Sequence, residues 1–141
     1  MQALRDAYAA THYRVLLDAA HATIRIGRPL PAAVQQVLAR HGAAQAAYLT
    51  ACNPRSIALS PRENAQRQRA LLAALVRPGI ACVPATARDP HAGWPAEDSV
   101  LAIGLPREQA HALAERFGQY AWVEVVSGVP ARLVFTSHWP G

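Results

Sequence analysis

Lysine is missing from this chain. All fourteen basic residues among its 141 are arginine, which excludes Schiff-base catalysis by a lysine and the lysine-bearing phosphate loop. Cysteine is nearly as scarce: Cys52 and Cys82 are too few for a disulfide framework and too far apart for a Cys-x-x-Cys pair. No GxSxG, HExxH or GxGxxG occurs, so the commonest hydrolase, zinc-protease and dinucleotide signatures are absent. Every apolar run stops well short of the ~20 residues that a membrane span needs. Near the start, Arg5 and Asp6 interrupt the stretch where a secretory leader would carry its apolar segment.

What remains is a globular composition, 52% hydrophobic and 16% charged, on a chain long enough for a single domain, 1–141, with a core of its own. The heavy use of Ala, Arg, Gly and Pro fits a GC-rich genome, and the expected setting is the bacterial cytoplasm, with no membrane partner. A net charge of +5 and a pI near 10.0 raise nucleic acid as a partner. Arg62 and Arg69 would share an exposed helix face, with Arg67 on its flank. Phosphate contacts from such a stripe would be non-specific and salt-sensitive. No zinc-finger, RNP or helix-turn-helix pattern accompanies it, so nucleic acid is not the expected partner.

Periodicity sets out the elements. After a short helix over 2–10, alternation of Tyr13, Val15 and Leu17 with His12, Arg14 and Asp18 predicts a half-buried strand over 12–18. A strand over 23–27 completes a hairpin with it. Pro31 opens and Gly42 closes a helix through Val34, Val37 and Leu38. The nearly continuous apolar run 46–52 predicts a central strand covered on both faces. Ser60-Pro61-Arg62-Glu63 is a capping box that starts a helix reaching about Val76. Strands over 80–85 and 99–105 enclose a loop rich in Pro, Gly and Trp. A helix from Pro106 ends at Phe117-Gly118, and a last hairpin joins 120–126 to 131–137. The order predicts an α+β class: a single mixed sheet of about seven strands with helices packed mainly on one face.

Two segments hold the polar residues of interest. Between the end of the central strand and the capping box lie Asn53, Arg55 and Ser56. At 100° per residue Asn64 shares a stripe with Gln68, Leu71 and Leu75, so a polar side chain falls on the buried face of the helix beside that strand end. Its amide needs partners, and the 53–56 loop is nearest. Either Asn64 braces the turn, and the corner is architecture, or strand end, loop amides and helix N-terminus form a pocket for a small polar or anionic ligand. In the second segment, 93–99, Trp94 could stack or act as a lid, and Glu97 and Asp98 should point to opposite faces. Trp94 or Glu97 is expected within reach of Arg55, Ser56 or Asn64, and a Glu97–Arg55 ion pair, if formed, would join the two segments. Glu108, His111 and Glu115 mimic metal spacing, but with no second helix to complete a ligand set neither metal nor cofactor is expected.

The stretches TACNPRS, SPREN, GWPAEDS and RFGQYAWV resemble a bacterial domain-of-unknown-function family, number 3293. The resemblance rests on Thr50, Asn53, Pro54, Ser56, Asn64, Trp94, Glu97, Ser99 and Gln119. Cys52 stands where that pattern has an aromatic residue, which argues against an essential thiol. The family implies no activity. The expected function is therefore ligand binding at Asn53, Arg55, Ser56, Asn64, Trp94 and Glu97. The alternative is a non-catalytic module that meets protein or nucleic acid through an arginine-rich surface.

Overall fold

The computed structural model describes residues 1–18, 20–91 and 95–141. Among these residues four helices and seven strands follow one another as α1 (Gln2–Ala10), β1 (His12–Leu16), β2 (His21–Ile24), α2 (Ala32–Arg40), β3 (Gln45–Leu49), α3 (Pro61–Val76), β4 (Ala81–Arg88), β5 (Glu97–Ile103), α4 (Arg107–Arg116), β6 (Ala121–Val126) and β7 (Arg132–Phe135). A short 3-10 turn, Pro54–Ser56, lies between β3 and α3. Ser60 and Glu63 close the start of α3 reciprocally, as the capping box requires.

All seven strands join one sheet in the order β2-β1-β4-β5-β3-β6-β7. The α+β class and the strand number are as expected, and β3 is interior with both faces buried. Two expectations change. Pairing is antiparallel at every rung rather than mixed. The helical crossovers do link strands running the same way, β3 to β4 and β5 to β6, but each link skips a position. Antiparallel β5 fills the first gap and antiparallel β3 the second, so no parallel pair forms.

Nor do the helices keep to one face. Alternate residues of β3 go to opposite cores: Ala46 and Tyr48 pack with Val34, Val37 and Leu38 of α2, whereas Ala47 and Leu49 pack with Leu71 and Leu75 of α3 and Ala110 and Ala114 of α4. The physical reason is in the strands. β3 and β5 are apolar on both sides, and at about 25 cal/mol per Å² neither face can be left to water. α3 lies over β4 and β5, and α4 over β3 and β6. α1 buries none of its residues fully. It is held by Tyr13, whose hydroxyl donates to the Tyr8 carbonyl, and by Trp139, whose ring packs at a tilt against both Tyr8 and Phe135.

Candidate functional site

Where β3 ends, its backbone leaves the ladder and its polar groups need other partners. Side chains supply them. Gln68 accepts from the Ala51 amide at 3.2 Å, and Arg67 Nε donates to the Ala51 carbonyl at 2.6 Å. A second Arg67 nitrogen donates to the carbonyl of Phe117, and Gln119 Nε2 donates to that of Cys52 at 3.0 Å. Arg67 is thus turned inward and leaves the arginine stripe expected on α3. Only Arg62 and Arg69 of that trio are exposed.

Asn53 is the hub of the corner. Its amide N–H donates to Asn64 Oδ1 at 2.9 Å, and Asn64 Nδ2 returns a bond to Asn53 Oδ1 at 2.8 Å. The same Oδ1 accepts from the Leu59 amide at 3.0 Å. Asn53 Nδ2 donates across to Glu97 Oε2 at 2.7 Å. The backbone turns tightly here, with positive φ at Asn53, Arg55 and Ser56 (47°, 52° and 56°). Asparagine tolerates that region, whereas Arg55 and Ser56 pay about 1–2 kcal/mol each for it. The hydrogen bonds of the corner, at roughly 1 kcal/mol apiece, suffice to hold them there. Gly118 is needed opposite: at its φ of +69° a Cβ would sit 3.0 Å from Pro54, while its carbonyl accepts from the Arg55 amide at 2.9 Å.

Beside this corner, on the same sheet face as Tyr48, a cavity of about 190 Å³ opens between α1 and the strands. Asn53, Ser56 and Glu97 line it, with Tyr8 and Thr11 of the α1 region, Tyr13, Tyr48, Thr50, Ser99 and Gln119. Tyr8 and Ser56, 48 residues apart, share a hydroxyl hydrogen bond of 3.1 Å. Leu4, Ala7, Ala121, Val123 and Leu133 supply apolar wall, and Arg88 and Asp89 also contribute to the lining.

The expected residues therefore divide. Asn53, Ser56 and Glu97 meet at one cavity. Asn64 is half-buried and stands behind the wall, bracing Asn53. Arg55 is exposed and does not line the cavity. Trp94 falls outside the described residues. The two segments do come together, but through Asn53 rather than through a Glu97–Arg55 ion pair, which does not occur among the described residues. Glu97 and Asp98 point to opposite faces, as alternation requires. Tyr8, Tyr13, Tyr48, Thr50, Ser99 and Gln119 were not expected in the site. For Ser99, Thr50 and Gln119 a signal existed, since the family resemblance includes them. For Tyr8 none did, because α1 reaches Ser56 only through the tertiary fold.

Burial sets the electrostatics. It raises the Glu97 carboxyl above its ordinary value of 4.5, and the Asn53 hydrogen bond only partly opposes this. Burial likewise raises the phenols of Tyr8, Tyr13 and Tyr48 and the Cys52 thiol, which rests against the Asp98 carbonyl. A thiol so placed is a poor nucleophile. The start of α3 spends its amides on its own capping box, so it offers little to an anion.

A family model described as protein of unknown function (DUF3293) matches residues 49–122, just over half of the chain. The chain belongs to that family. The matched stretch runs from the last residue of β3 into β6 and contains Asn53, Ser56, Asn64, Glu97 and Gln119, while α1 lies outside it. Nothing among curated proteins or solved structures matches.

Proposed function

We propose that this protein, acting as one domain of the bacterial cytoplasm, binds a small polar ligand in the cavity between α1 and the β3–β5 strand ends. The observation that carries the proposal is the Asn53–Glu97 hydrogen bond at the cavity wall, beside the Tyr8–Ser56 pair. A wall of this kind, part hydrocarbon and part fixed polar groups, is what ligand sites present. An engineered cavity of ~150 Å³ in another protein holds a benzene, so a ligand of about that size or slightly larger fits. Asn53, Ser56 and Glu97 would touch it. Asn64 would position Asn53. No chemistry is assigned to the site. A screen of small polar fragments by ligand-observed NMR tests the reading against Ala7→Leu, which fills the cavity from α1. Hits lost in that variant support it. Hits that persist unchanged, or no hits at all, overturn it.

A second reading rests on a different surface. At the far end of the sheet from α4, β1 and β2 carry His12, Arg14, His21 and Thr23 on one face, all at least partly exposed. Arg88 pairs with His12 in register, and desolvation lowers the pKa of His12, with Arg25, Arg14, His91 and Arg28 lowering it further. Among the described residues Arg25 Nε is buried without a hydrogen-bond partner. Such a basic face would suit a polyanion. Binding of single-stranded nucleic acid that fades steeply between ~50 and ~200 mM salt, and is lost in Arg14→Ala/Arg88→Ala, would favour it.

A further inference from the structure

The hydrogen-bond directions inside the cavity bear on which ligand it takes. Its polar lining has spent its protons on the protein. Tyr13 donates to the Tyr8 carbonyl, and Tyr48 to the Arg14 carbonyl at 3.1 Å. Thr50 donates to the Asp98 carbonyl at 2.8 Å, and Ser99 to that of Glu97 at 3.2 Å. Thr11 donates to the Ala7 carbonyl at 2.8 Å, and Gln119 Nε2 to Cys52 and Phe117. A hydroxyl whose single proton is used in this way has only lone pairs left to offer. Glu97 adds a carboxylate, whose Oε2 is bound by Asn53, and the second oxygen has no protein donor among the described residues. Against these acceptors, the described residues of the lining other than exposed Arg88 leave few free donors: one proton of the Tyr8–Ser56 pair and the second amide proton of Asn53. Arg88 also belongs to the lining, but it is exposed, and no ion pair with the adjoining Asp89 occurs among the described residues.

Resting on the reading that this cavity is a ligand site, we infer that its ligand carries a positively charged, proton-donating head, a primary ammonium or a guanidinium, seated against Glu97. An ammonium offers three donors and a guanidinium five, and neither accepts any. Either would complete a wall of acceptors and pair with a carboxylate that burial otherwise penalises. A carboxylate or phosphate ligand would meet lone pairs and like charge instead. The apolar wall from Ala121, Val123 and Leu133 would take a short hydrocarbon stem behind the head.

The test uses the full chain and probes matched in size. Pentylamine, 1-pentanol and pentanoate are the matched set, with an ammonium, a hydroxyl and a carboxylate head; agmatine adds a guanidinium on a longer stem that ends in a second charge. Each is titrated at neutral pH and followed by the side-chain amide of Asn53 and the backbone amide of Ser99. Both amines should shift these resonances, with 1-pentanol at least about tenfold weaker and pentanoate without effect, since a hydrogen bond to a charged group is worth that much. Glu97→Gln keeps an oxygen for Asn53 and should weaken the amines at least about tenfold and 1-pentanol much less. If 1-pentanol or pentanoate binds as tightly as the amines at the same resonances, the charged head is wrong and the cavity reading stands. If no probe moves them, both are wrong. Should Glu97→Gln not fold, the ranking of probes on the unmodified protein decides alone.

Discussion

Asn53 Nδ2 lies 2.7 Å from Glu97 Oε2, joining two residues 44 apart in the chain. The orientation of the amide is fixed by its other end, where Oδ1 takes protons from Leu59 and Asn64. Asn53→Asp keeps a side chain that tolerates positive φ but replaces the donor with a second carboxylate. It should cost about 2–4 kcal/mol at neutral pH, and acid should restore part of the loss by protonating one of the pair. Urea unfolding at neutral and mildly acidic pH measures both. Equal loss at the two values would mean that charge repulsion plays no part.

Asn64 acts behind the wall. Asn64→Ala leaves the Asn53 amide without its acceptor and Asn53 Oδ1 with one donor fewer, at a cost of about 1–3 kcal/mol. The denaturant midpoint should fall. An unmoved midpoint would show that the amide braces nothing.

The raised Glu97 carboxyl gives the protein a pH dependence whose sign follows from its burial. Because the folded state holds this proton more tightly than the unfolded chain, the associated stability is fully present below 4.5 and is lost as pH rises through the folded value. Glu97→Gln has no proton to lose. It should be as stable as the parent in acid and more stable at neutral pH. A variant less stable than its parent at neutral pH would contradict the assignment of Glu97 as an uncompensated carboxylate.

Glu115 behaves in the opposite sense. Hydrogen bonds from the Ser137 hydroxyl and amide hold its carboxyl below the usual range, with smaller help from His138 and His111. The stability it lends is present above 4.5 and disappears as pH falls through the depressed folded value. Acid should therefore loosen the segment after β7, whose Trp139 packs on Tyr8 of α1. The Ser137 amide resonance should titrate in that range and should stop doing so in Glu115→Gln.

Much of this fold could be read from local signals. The apolar run 46–52 announced an interior strand, Ser60 and Glu63 announced the start of α3, and the helical stripe placed Asn64 beside the 53–56 loop. What local signals lack is order across the sheet. Nothing near Leu49 indicates that β5 lies on one side of it and β6 on the other, yet that interleaving made the sheet antiparallel. The site divided along the same line. Asn53, Ser56 and Glu97 were legible because unusual polar residues crowd a turn. Tyr8 was not, since α1 reads as an ordinary opening helix. Arg55 misled because an arginine in a polar loop suggests an anion, whereas here the loop's backbone is used and its guanidinium is left in solvent.

Most direct of all is a crystal structure of the full chain soaked with agmatine. The expected result is density for the guanidinium against the free oxygen of Glu97, with the stem between α1 and the sheet and Asn53 still bonded to Oε2. A cavity without agmatine, at concentrations where calorimetry shows it bound, would contradict the claim that this is where the protein holds its ligand.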